Sequence, residues 1–188
     1  AKASDDLKLV THFEINNRFG QKNAAVNTTG VDFVGSDLDT DGTNIVTKHA
    51  FLDFNAVKGT NVKIGLMPYK DAIGGILIDA DVPAVAVATK MANIDVLAGF
   101  ARVADNNVTS STRLGDQTSD FSFLDLGYVV NKDTKVGVSY YLQQDDTSTT
   151  AAKKTINTFA LNGKTSIQGV ALQGFIAMQD GEQGTTDY

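Results

Sequence analysis

The stretch that decides the fold is Leu7-Lys8-Leu9-Val10-Thr11-His12-Phe13-Glu14-Ile15-Asn16-Asn17-Arg18-Phe19. In an extended chain Leu7, Leu9, Phe13, Ile15 and Phe19 fall on one side, with Thr11 and Asn17 between them. Lys8, Val10, His12, Glu14, Asn16 and Arg18 fall on the other. A period of two predicts a β-strand, and the two faces differ sharply in polarity. A soluble sandwich would solvate the polar face, whereas a membrane barrel would line a wet lumen with it and turn the apolar face to lipid. One strand does not separate these readings. The connections do.

Working outward, a long polar segment at 20–43 leads to a second strand at about 44–56. There Val46, Ala50, Leu52, Phe54 and Ala56 share a face against Thr47, His49, Asp53 and Asn55. A short turn at 57–61 precedes a third strand, 62–69, with Val62, Ile64 and Leu66 outward and Lys63, Gly65, Met67 and Tyr69 inward. A long connection at 70–83 follows, then an Ala/Val-rich strand at 84–90, a turn at 91–93 and a strand at 94–104. A polar loop at 105–119 leads to strands at 120–130 and 135–144, joined by a tight turn at 131–134. Beyond the loop at 145–153 come strands at about 155–161 and 166–179, with Asn162-Gly163-Lys164 read as their turn. Residues 180–188 read as loop.

Long and short connections therefore alternate, placing every long loop at one end of the strands. Transmembrane barrels have this asymmetry, and strands of about 8–13 residues suit the roughly 9–11 needed to cross a bilayer obliquely. The expectation is an all-β, antiparallel up-and-down transmembrane β-barrel segment of about nine strands spanning 1–188. An odd count departs from the even number of single-chain bacterial barrels. An open sheet edge is not viable in lipid, so the chain is expected to be one part of a larger barrel.

Composition agrees. The 188 residues contain 42% hydrophobic residues, 17 Gly, 2 Pro, no Trp and no Cys, a mixture suited to strands and polar turns. Net charge is −6, so nucleic acid is excluded as a partner, since phosphate binding needs a basic surface. No run approaches the roughly 18 apolar residues of a membrane helix. The opening Ala1-Lys2-Ala3-Ser4-Asp5-Asp6 does not have the form of a signal peptide, giving a mature or truncated chain as the expectation.

Thr47-Lys48-His49-Ala50-Phe51-Leu52-Asp53-Phe54-Asn55 followed by Val62-Lys63-Ile64-Gly65-Leu66 resembles the porin family of anaerobic metal- and sulfate-reducing bacteria. The likeness lies in a strand ending in "DFN", a short turn, a "VKVG"-like strand and a Gly/Asp-rich loop. Asp6-Leu7-Lys8-Leu9 with Phe13-Glu14-Ile15 is similar to a preceding strand of that family. The resemblance covers the first half well and the rest in style. It implies an outer-membrane channel of about 16 strands, filled with water, open to ions and small hydrophilic solutes and narrowed by an inward loop. Outer-membrane lipid would surround it, with a homotrimer as the candidate assembly. In such a channel Lys8, His12, Glu14, Arg18, His49, Asp53, Lys63, Tyr69 and Asp125 line the pore. If the 70–83 loop turns inward, Asp71, Asp79 and Asp81 form an acidic constriction that favours cations.

The residue types allow two other chemistries. Asp37, Asp39 and Asp41, ahead of Gly42, resemble the first half of a Ca²⁺ loop, because alternate carboxylates converge on a hard cation. The bidentate Glu such a loop wants at its twelfth position is Lys48 here, and a solvated acidic loop is the competing reading. That run supports the alternative class, a soluble or surface-exposed Ca²⁺-stabilised β-protein of adhesin or surface-layer type. Beyond Ca²⁺ at 37–42, no cofactor is expected. Catalysis is not expected either. Only His12 and His49 could serve a Ser/His/Asp arrangement, and no G-x-S-x-G, HExxH or phosphate-binding Gly loop accompanies them. Asn27-Thr28-Thr29 and Asn107-Val108-Thr109 match the glycosylation sequon by chance.

Overall fold

The structure, a computed structural model, describes residues 2–15, 45–105, 117–148, 152–184 and 186–187. Its strands are β1 (Leu7–Ile15), β2 (Ile45–Val57), β3 (Thr60–Lys70), β4 (Asp79–Met91) and β5 (Ile94–Asp105), then β6 (Thr118–Val129), β7 (Thr134–Asp145), β8 (Lys154–Ile167) and β9 (Val170–Gln183). A two-residue β10 (Thr186–Asp187) returns along β9. All lie in one sheet, each strand paired antiparallel with its sequence neighbour. The up-and-down topology is the one the alternating connections predict. Between the nine long strands the short connections are 58–59, 92–93, 130–133 and 168–169, all at one end of the sheet. At the other end the strands are separated by 16–44, 71–78, 106–117 and 146–153.

Several boundaries differ from the sequence reading. β4 begins at Asp79, so only 71–78 connects β3 to β4, and Pro83 lies within a strand opposite Leu66. Asn162-Gly163-Lys164 is strand interior: Asn162 pairs with Gly137 and Phe175, and Gly163 with Val136 and Gly174. The real turn is Gln168-Gly169, where φ is +50° and +83°. Two successive left-handed residues match the right-handed twist of a hairpin, and Gln is a weak signal for that geometry. β9 runs on to Gln183, through residues read as loop.

Opposed residues of neighbouring strands share a face. One row crosses all nine long strands through Leu7, Phe54, Val62, Val87, Ala98, Leu124, Tyr140, Phe159 and Met178. It carries no charge. The next row, on the opposite face, runs Lys8, Asp53, Lys63, Ala86, Gly99, Phe123, Tyr141, Thr158 and Gln179. The sheet therefore has an apolar face and a mixed face. A bulge breaks the register at the loop end of β2: His12 opposes His49 while Phe13 opposes Thr47, leaving Lys48 unpaired. Thus Ile45 sits opposite Ile15 and Val46 opposite Glu14, which reverses the facing expected for Val46 and Thr47.

Large apolar side chains on the apolar face are exposed, Leu124, Val138 and Leu161 among them. The buried cluster is on the mixed face: Phe51, Met67, Tyr69, Phe121, Phe123 and Tyr141, with alanines of β4, β5 and β8 and with Ile73 from the 71–78 connection. Tyr69 stacks on Phe123 at 4.2 Å between ring centroids, and Phe121 on Tyr141 at 5.6 Å. Gly99 makes room for this cluster, because a β-carbon there would overlap the Phe123 ring and the Val85 carbonyl oxygen. Gly99→Ala is expected to lose about 1–3 kcal/mol to overpacking, read as a lower urea midpoint. Gly174→Ala, where a β-carbon meets open space, should leave the midpoint unchanged.

Candidate functional site

The mixed face carries the polar chemistry, and the 71–78 connection organises it. The Asp71 carboxylate, 3% exposed, accepts four backbone N–H bonds. Oδ1 takes Ile73 at 3.0 Å and Gly75 at 2.7 Å, and Oδ2 takes Leu77 at 2.7 Å and Ile78 at 2.9 Å. The Asp71 N–H closes the loop on the Ile78 carbonyl at 3.1 Å. A short segment without secondary structure leaves its amides unsatisfied, and one anionic side chain answers most of that demand here.

The closed loop then lies down on the sheet. Ala72 donates its N–H to the Tyr141 hydroxyl at 2.9 Å, and that hydroxyl donates to Asp125 Oδ1 at 2.7 Å. Tyr141 belongs to β7, four strands from β3, so the connection crosses the mixed face. Ile73 is 1% exposed beneath it.

Around this centre the pore-lining candidates separate into two groups. At the loop end, His49 Nε2 is 2.8 Å from Asp81 Oδ1 and its ring is 5.1 Å from that of His12. Lys48 reaches Asp81 at 3.1 Å and Glu14 at 3.8 Å. The bulge at Lys48 lets two consecutive side chains approach one carboxylate. Towards the turn end, Asp53 accepts from Asn61 Nδ2 at 2.6 Å and lies 3.9 Å from Lys8. Lys63 sits 5.7 Å over the Phe51 ring. Tyr69 is buried in the aromatic cluster, and its hydroxyl has no hydrogen-bond partner.

Three expectations change. Asp79 and Asp81 stand in β4, outside the connection. Asp79 pairs with Lys70 at 2.6 Å, Asp81 with Lys48 and His49, and Asp71 is consumed by backbone N–H groups. Instead of three free acids at a constriction, each carboxylate has a partner. Arg18 and the acidic run Asp37, Asp39 and Asp41 lie outside the described residues, as do Asn27 and Asn107.

The sequence reading missed the anchoring role of Asp71 and its link to Tyr141. Gly74-Gly75 signalled a turn, but a contact from residue 72 to residue 141 has no local signature. It also passed over Asp95, which binds Lys135 at 2.6 Å and Lys90 at 3.8 Å. Lys135 reaches Asp95 by lying across Gly127, where any β-carbon would collide with it. A cavity of about 340 Å³ opens beside the connection, lined by Lys70, Gly74, Lys135, Asn162, Lys164 and Gln173. No protein-family model matches the chain, and no curated protein matches its sequence.

Removing the anchor should release the connection. Asp71→Ala strips four N–H groups of their acceptor, and hydrogen bonds to a charged group contribute about 1.5–3 kcal/mol each in such settings. The amides of Ile73, Gly75, Leu77 and Ile78 are expected to lose hydrogen-exchange protection, with Asp71→Asn intermediate because it keeps one acceptor oxygen. Tyr141→Phe should expose the Ala72 amide while leaving those four protected.

Proposed function

We propose that this sheet is wall material of an outer-membrane porin, a water-filled channel for passive diffusion of ions and small hydrophilic solutes. The observation that carries the reading is the uncharged row from Leu7 to Met178 on an exposed face. At the usual interstrand spacing it extends about 40 Å around the sheet. Val138 is 50% exposed and Leu161 60%, on the same face. Soluble monomers rarely leave so wide an apolar surface in water, whereas lipid is its natural solvent.

Three further features support the reading. The strands of 9–14 residues are long enough to cross a bilayer at a tilt. The short connections between the nine long strands gather at one end of the sheet. The opposite face carries Lys8, Asp53, Lys63, Asp95, Lys135 and Lys164, residues suited to water. Arg102 stands opposite Asp120 at the loop end of the apolar face, bound to it at 2.9 and 3.2 Å and to Asp105 at 3.5 Å. A charged cluster held there marks the upper limit of the apolar band. The Ca²⁺-stabilised surface protein has no observation among the described residues in its favour.

The intact protein is expected to need detergent for extraction and, once reconstituted, to make liposomes swell in small sugars. A protein that stays soluble and dispersed without detergent would refute the reading. Leu124→Lys places a charge in the apolar row and should destabilise the protein in lipid vesicles by about 2–4 kcal/mol, as lysine does near a bilayer midplane. Gln173→Lys, on the mixed face, should change stability little.

A further inference from the structure

A cavity opens beside the 71–78 connection on the mixed face, and three of its four charged side chains are cationic. Three ammonium groups line it: Lys70 from the end of β3, Lys135 from β7 and Lys164 from β8. Asn162 and Gln173 add amide groups, and the connection contributes Ala72 and Gly74. The lining contains one carboxylate, Asp71, whose two oxygens are both occupied by backbone N–H groups.

The three lysines are not equivalent. Lys70 is bound to Asp79 at 2.6 Å and Lys135 to Asp95 at 2.6 Å. Lys164 is exposed and makes no ion pair among the described residues. It stands between Lys135 and Gln173 in the cross-strand row, so neither of its cross-strand partners is an acid. A cation without a counter-ion at the mouth of a cavity raises the local concentration of anions and repels cations.

From this we infer that the gap between the 71–78 connection and β7–β9 favours small inorganic anions, and that Lys164 sets the preference. This deepens the channel reading and rests on it. The sign is opposite to the one three free aspartates would give. Asp79 and Asp81 are paired with cations and Asp71 is enclosed by four backbone N–H groups, whereas the lysine facing the gap has no counter-ion among the described residues.

The test is the reversal potential of the intact protein in planar bilayers under a potassium chloride gradient. Wild type should pass chloride in preference to potassium. K164Q should move the permeability ratio towards one, and K164E should take it to the potassium side. K58Q, in the β2–β3 turn away from the gap, should leave the ratio unchanged. Channels that prefer potassium, or a K164E ratio equal to wild type, would overturn the anion gap while leaving the pore in place. Absence of any channel would overturn the pore, and the gap with it. Lys164 lies exposed on the mixed face, so its variants should retain the wild-type urea midpoint.

Discussion

In an antiparallel sheet of sequential hairpins, the residue opposite each position lies on the same face. Eight successive pairings therefore copy the polarity of one strand onto the next, and the whole molecule depends on that register being kept. A slip of one residue at any pairing would carry Lys63 or Asp125 to the apolar face. In lipid each misplaced charge would cost up to about 2–4 kcal/mol. The register shifts that do occur are confined to strand ends, at His12/Phe13, Asn55/Val57 and Arg102/Ala104. Through the middle of the sheet the pairing is unbroken.

The mixed face is not uniformly polar. The mixed face holds phenylalanines and tyrosines as well as lysines, and a water-filled surface gives no reason for Phe121 to be 1% exposed. The reason is the connection. Once Asp71 has gathered four N–H groups, the 71–78 loop presents Ile73 to the sheet, and the aromatic cluster is what receives it. Burying an ionised carboxylate is costly unless its lone pairs are used, and here both oxygens are. The loop is thus a built part of the mixed face, held by an internal anion and by one tyrosine hydroxyl.

Much of this was legible in the sequence, and the exceptions share a cause. Period-two patterning located β3, β6 and β7 and their facing, because both faces of those strands are strongly marked. Val62, Ile64 and Leu66 oppose Lys63, Met67 and Tyr69, for instance. Local turn chemistry misled at Asn162-Gly163, whose dipeptide is a strong hairpin signal. Pairing with β7 and β9 overrides it, and Asn162 uses its side chain to donate to Ser139 Oγ at 3.1 Å. The bulge at Lys48 left no trace, because one extra residue shifts a pattern without altering composition. Asp71, Asp79 and Asp81 read as a cluster since they are close in sequence. Their partners, Tyr141 by way of Ala72, Lys70 and Lys48, are set by pairing across strands, and the charge of the gap follows from that pairing.

The edges of the sheet carry the remaining argument about closure. β1 and β9 are both odd in order, so they run in the same direction, and joining them directly would require a parallel pairing. Antiparallel closure in a membrane calls for an odd number of further strands between them. Thr186 and Asp187 pair antiparallel with Gln183 and Glu182 on the outer side of β9. From Val170 to Gly181 that side has no strand beside it among the described residues. Backbone groups on such an edge find no hydrogen-bond partner in hydrocarbon. On the channel reading, an apolar face prepared for lipid and an edge unsuited to it belong together only when additional strands complete the wall.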